Sequence, residues 1–185
     1  MRWKIATAAA ALAVVSAAGF APAAGAAPTT TTTTTCDDSV SPVAGGATVA
    51  GNLVVPAGAS CYLFYATVKG NTSVAGTLYA DATTFNKNVS VNGGTLMNIN
   101  RAFTVKGNLS ITNSSGINGT WEQYNDVRSV VEGNFSYTYN SGPLFISYLG
   151  LEVKGNFTFA YNAPSATDWP YTLGGLTVDG NSTIL

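Results

Sequence analysis

The chain has 185 residues, with 8 basic and 9 acidic side chains and no histidine. Charged residues make up only 9% of it, so the balance gives no reason to expect nucleic acid as a partner. Without imidazole, His-based triads and most transition-metal sites are excluded. The surface must be built from Ser, Thr, Asn and Gly.

The first segment reads as a secretory leader. Arg2 and Lys4 are basic, Ile5 to Phe20 is apolar, and Ala24-Gly25-Ala26 offers a small-residue cleavage site. Residues 1–26 are expected to be a signal peptide, removed before Ala27, leaving no membrane span after cleavage. Pro28 and the threonine run Thr29 to Thr35 follow. Residues 27–35 read as a low-complexity, Thr-rich linker that tethers the folded domain. The domain is expected over 36–185, long enough for one continuous core.

Cys36 and Cys61 are the only two cysteines. In an exported chain a pair is most simply a disulfide. It would staple the first coil to the N-terminal cap and, in the chain-entropy model, contribute roughly 3 kcal/mol.

Beyond Cys36 one phrase keeps returning: Val-x-Gly-Asn followed by an apolar/polar alternation. It stands at Val49-Ala50-Gly51-Asn52, Val68-Lys69-Gly70-Asn71, Val105-Lys106-Gly107-Asn108, Val131-Glu132-Gly133-Asn134, Val153-Lys154-Gly155-Asn156 and Val178-Asp179-Gly180-Asn181, with a degenerate copy at Phe85-Asn86-Lys87-Asn88. The motif asparagines recur at steps of 19, 17, 20, 26, 22 and 25 residues. That period suits one coil of a β-helix and is too short for a propeller blade. After each asparagine, stretches such as Leu109-Ser110-Ile111 and Phe157-Thr158-Phe159 alternate with the period of a half-buried strand. The expectation is an all-β, right-handed parallel β-helix of about six to seven coils.

Stacked coils bring equivalent residues to about 4.8 Å. Asn52, Asn71, Asn88, Asn108, Asn134, Asn156 and Asn181 should then form a structural ladder, buried and bonded amide to amide. Gly58, Gly76, Gly94, Gly116 and Gly142 mark a second corner. Lys106, Glu132, Lys154 and Asp179 fill one slot in consecutive coils, so charges of opposite sign should alternate along one edge.

Candidate chemistry is sparse. Six Asn-x-Ser/Thr sequons coincide with the repeat, so the repeat explains them better than glycosylation does, and a buried ladder asparagine could carry no glycan. The carboxylates are scattered. Glu132 and Asp179 fall two coils apart, about 10 Å, which is wider than glycosidase pairs allow, and Lys154 lies between them. Glu122 and Asp126 with Arg128 are the closest approach to an acidic group. No catalytic residues, metal ligands or cofactor site are expected, and the chain reads as not an enzyme.

Aromatics are more suggestive. In the second half Tyr137 should stack on Phe159 and Tyr139 on Tyr161, filling or capping the core. Trp121, Tyr124, Trp169 and Tyr171 fall in the widened inter-strand loops and are the candidates for carbohydrate binding through exposed rings. An ice-binding face would need paired threonines. The polar strand position holds instead Ser73, Ser90, Ser110, Ser136, Thr158 and Thr183, one hydroxyl per coil.

The stretch from Gly46 to Cys61, with the later Val-Lys-Gly-Asn phrases, resembles small secreted actinobacterial proteins predicted to form a short right-handed β-helix. The resemblance covers residues 36–185 and implies fold and export, with no activity and no functional residues to carry over. Members of that group often hold a second cysteine pair near the C-terminus, which this chain lacks.

Taken together, the residues point to a secreted, non-catalytic solenoid with a structural or adhesive role outside the cell or at its envelope. A carbohydrate-binding module is the alternative, with cell-wall or extracellular polysaccharide as partner, and a polysaccharide-active enzyme is third. The final coil stops in mid-motif, which suggests end-to-end self-association.

Overall fold

The computed structural model describes residues 32–36, 42–43, 46–98, 101–120, 128–146, 150–163 and 173–185. The expected leader lies outside them. Every described element is a strand.

The strands come in triplets, one per turn. The first two turns are β1 (Thr33–Thr35), β2 (Pro42–Val43), β3 (Thr48–Val49) and β4 (Asn52–Val55), β5 (Ser60–Phe64), β6 (Thr67–Val68). Then follow β7 (Thr72–Val74), β8 (Thr77–Asp81), β9 (Thr84–Phe85) and β10 (Val89–Asn92), β11 (Thr95–Asn98), β12 (Thr104–Val105). The next pair is β13 (Leu109–Thr112), β14 (Asn118–Thr120), β15 (Ser129–Val131) and β16 (Phe135–Thr138), β17 (Leu144–Ile146), β18 (Leu151–Val153). β19 (Phe157–Ala160), β20 (Leu176–Val178) and β21 (Ser182–Ile184) complete the series.

Through β18, first members pair only with first members, second with second and third with third; after them β19 and β21 join the first sheet and β20 the third, all in parallel. The result is a parallel β-solenoid with three sheet faces. Among the described residues face 1 has eight strands, face 2 six and face 3 seven.

The alternation decides which side chains enter. On face 1, Val55, Val74, Val91, Ile111, Tyr137 and Phe159 form one inward column in direct register. On face 3 the motif valines stack inward with Phe85 in the degenerate copy. These columns close one apolar core. Later turns widen it with rings: Phe135 meets Phe157 at 5.3 Å and Tyr137 lies parallel to Phe159 at 5.6 Å. The buried Tyr137 hydroxyl donates to Gly142 O at 2.7 Å, so its polar end is satisfied.

The solenoid begins earlier than the expected boundary at residue 36. Thr33–Thr35 pairs with Asn52–Val54 as the first strand of face 1, so the last threonines of the tract are sheet, not tether. Threonine is β-branched and suits a pleated edge strand. The Cys36–Cys61 disulfide, with its Cα atoms 5.7 Å apart, and the bond from Cys36 N–H to Val54 O hold that strand in place.

The asparagine ladder exists but differs from expectation in two ways. Each asparagine accepts on Oδ1 the backbone N–H of the next asparagine, as in Asn71 N to Asn52 Oδ1 at 2.9 Å, with no amide-to-amide bond. It is also not buried: Asn71, Asn88, Asn108, Asn134, Asn156 and Asn181 are exposed and Asn52 is half-buried. The corner between face 3 and face 1 turns outward, so the side chain lies along the outside edge and caps backbone donors there.

Candidate functional site

The loop aromatics singled out from sequence, Trp121, Tyr124, Trp169 and Tyr171, lie outside the described residues, as do Glu122 and Asp126. Arg128 is exposed and donates to Thr177 Oγ1 at 3.2 Å. Glu132, Lys154 and Asp179 follow directly on the paired Val131, Val153 and Val178, so they stand in one exposed column with the lysine between the carboxylates. That spacing supports no two-carboxylate chemistry.

The described surface carries two other features. The first is face 1 itself. Its outward positions form a column of hydroxyls, Ser73, Ser90, Ser110, Ser136, Thr158 and Thr183, in unbroken register. The asparagine ladder borders it on one side, and Asn92, Thr112 and Thr138 continue it on the other. No strand of face 1 contains a charged residue. The face is a regular lattice of neutral donors and acceptors at the inter-strand repeat of about 4.8 Å.

At its far edge, where face 1 turns toward face 2, one column adopts a left-handed backbone. It runs Gly93 (φ 74°), Asn113 (φ 53°), Tyr139 (φ 59°) and Tyr161 (φ 57°). Glycine and asparagine tolerate this region, whereas a bulky side chain is disfavoured there by roughly 1–2 kcal/mol. Two tyrosines accept that cost. Their rings stack at 5.0 Å with 13° between planes, and each remains 61% exposed.

A second, inner asparagine ladder holds the corner. Ser114 N–H donates to Asn140 Oδ1 at 2.8 Å and Asn140 N–H to Asn162 Oδ1 at 2.9 Å. The amide of Asn140 donates to Ile111 O, and that of Asn162 to Tyr137 O, both at 3.0 Å. These bonds fix the residue after each tyrosine and so hold the backbone of the corner.

The other feature lies on face 2 and its corner to face 3. Tyr62 and Tyr79 stack at 4.3 Å with 4° between planes. Phe64 and Tyr65 meet edge to face at 4.5 Å, and Tyr65 and Ala82, in successive turns, again have positive φ (52° and 48°). The Arg101 guanidinium lies 4.9 Å from the Tyr65 ring centre and 5.8 Å from that of Phe64, and donates to the Tyr65 hydroxyl. These rings are engaged by one another and by a cation of the same chain. Burial, with help from the Tyr62 hydroxyl, raises the pKa of Tyr79 above its ordinary value.

Sequence reasoning anticipated the Tyr139–Tyr161 stack as part of the core; the structure places it outside. It missed the Phe64–Tyr65–Arg101 cluster, because Arg101 reaches Tyr65 across 36 residues through the stacking of turns. The sites thus belong to a parallel β-solenoid with a neutral lattice face and an aromatic edge. No family model, curated protein or solved structure matches this chain.

Proposed function

We propose that this protein is an exported, non-catalytic solenoid whose role is structural or adhesive, outside the cell or at its envelope. The observation that supports this best is face 1: six successive strands present an outward hydroxyl in direct register beside the asparagine ladder, and no strand of that face carries a charged residue. Such a face suits many weak, repeated contacts with an extended surface better than a single turnover event. Export rests on the Arg2/Lys4 leader and agrees with the Cys36–Cys61 disulfide.

Retention of the full chain on isolated cell walls and on insoluble polysaccharides tests the reading. A Ser110→Asp/Ser136→Asp variant puts two charges in the centre of face 1 and is expected to lose retention. Equal retention would move adhesion elsewhere, and no retention of the wild type on any surface would sink the proposal.

Carbohydrate binding is a second reading, favoured by the exposed Tyr139–Tyr161 pair. End-to-end self-association is a further part of the proposal. Ile184 continues the inward column of face 1 through its pairing with Phe159 but stays 65% exposed, an apolar contact suited to a second copy. Sedimentation across a range of concentrations tests it, and a concentration-independent monomer would overturn it.

A further inference from the structure

The left-handed column at the edge of face 1 holds a choice that folding alone does not explain. Its first two positions use Gly93 and Asn113, the residue types that accept positive φ most readily. Its last two use tyrosine, at a cost in backbone energy and with rings turned out to solvent. Strain retained together with exposed aromatic surface marks a position kept for contact. The inner ladder of Asn140 and Asn162 then fixes both residues from behind.

We propose that Tyr139 and Tyr161, with the neighbouring hydroxyls Ser136, Thr138 and Thr158, form a binding site for a neutral polysaccharide. The inference rests on the adhesive reading of face 1 and narrows it to one place and one ligand class. A pyranose ring has an apolar CH face and a rim of hydroxyls. The stacked tyrosines cover the ring faces they turn to each other and leave the exposed remainder of each ring for the first. Thr138 directly precedes Tyr139, and Ser136 and Thr158 lie on the strands that lead to Tyr139 and Tyr161, so the strands that end at the rings carry hydroxyls for the rim. The absence of charge from the face 1 strands fits a ligand without carboxylates or sulfates, for which a buried or unpaired charge would be a penalty. The hydroxyl column runs past the pair over successive turns, which suits a polymer rather than a single monosaccharide.

The test is depletion of the full chain from solution by insoluble neutral β-glucan and by chitin, with polygalacturonate as the anionic comparison. Two double variants run beside the wild type, Tyr139→Gly/Tyr161→Gly and Tyr139→Asn/Tyr161→Asn. Relief of the left-handed strain opposes the lost ring packing and, for glycine, the added unfolded-state entropy, so both variants are expected to fold with midpoints close to that of the wild type. The expected result is retention on a neutral polymer that is insensitive to salt, and lost by about ten-fold or more in both variants.

Undiminished retention in either variant would overturn the inference, and so would lowered midpoints in both, which would make the rings structural. If polysaccharide is not retained but the wild type self-associates and the variants do not, the pair is a protein contact and the inference falls. Loss of retention in Ser110→Asp/Ser136→Asp while both tyrosine variants still bind would leave the adhesive face standing and remove only this site.

Discussion

The backbone N–H of Asn88 reaches Asn71 Oδ1 at 3.3 Å, whereas the other rungs of the outer ladder measure 2.8–2.9 Å. That turn is the one in which Lys87 replaces the motif glycine. In other turns a Cβ at the glycine would stand against the asparagine below; at Gly133 it would lie 2.5 Å from Asn108 Oδ1 and 2.6 Å from Gly107 O. Glycine lets each turn settle onto the asparagine of the turn beneath, and Lys87 holds its turn slightly open.

Gly133→Ala should therefore destabilise by about 1–3 kcal/mol, the range of overpacking, and toward its upper end because two backbone or side-chain oxygens stand within 2.6 Å of the added Cβ. Asn108→Ala removes one acceptor from an exposed edge and should cost about 1 kcal/mol. Urea midpoints of the two variants decide the order, and a neutral Gly133→Ala would show that the glycine is not there for space. Amide exchange at Asn88 should be faster than at Asn108 or Asn134, and Lys87→Gly should slow it.

Thr72 is the polar member of an inward column, paired with Leu53 on one side and Val89 on the other. Its side chain is 1% exposed and its hydroxyl has no hydrogen-bond partner among the described residues. A buried unsatisfied hydroxyl is destabilising, and valine has nearly the same shape. Thr72→Val is expected to stabilise by about 1 kcal/mol, read as a higher unfolding midpoint. A lower midpoint would mean that the hydroxyl contributes to the fold.

The raised pKa of Tyr79 comes first from burial of the phenol and then from its interaction with Tyr62. Folding thus favours the protonated form. The contribution to stability is full below the ordinary value of 10.0 and is lost as pH rises through the folded-state value, because the unfolded chain ionises first. Thermal midpoints should fall above pH 10.0 by more in the wild type than in Tyr79→Phe. The late part of the phenolate absorbance titration should lose one tyrosine's amplitude in Tyr79→Phe, and an unchanged late amplitude would refute the assignment.

Reducing the Cys36–Cys61 bond frees β1 from β5 and opens a loop of 25 residues. The chain-entropy model gives a loss of about 3 kcal/mol. Cys61 is fully buried, so Cys61→Ser should be worse than Cys36→Ser under reducing conditions. Circular dichroism with and without reductant measures both effects.

The β-solenoid was legible because its two signals are local and repeated. A period-2 alternation says strand, and Val-x-Gly-Asn returning about once per turn says that equivalent strands stack. The inward columns, the corner glycines and the Tyr139–Tyr161 stack all follow from laying one repeat over the next. The tether boundary was misplaced because Thr33–Thr35 carries no apolar pattern of its own; it becomes a strand only by pairing with Asn52–Val54.

The alignment of turns was therefore in the sequence, and with it the fold, the disulfide and the hydroxyl column of face 1. Which side of the wall a corner residue takes was not. Alternation assigns in and out along a strand, but at a corner the backbone φ decides, and nothing in the letters distinguishes Tyr137, sealed in the core, from Tyr139 two residues on, 61% exposed. Only the closed turns showed that the ladder asparagines edge the outside, that Arg101 covers Tyr65, and that Tyr139 and Tyr161 stand outward on a left-handed backbone held by Asn140 and Asn162. The physical reason is that exposure at a corner is set by contacts between residues about twenty apart in the chain, which exist only once one turn has closed onto the next.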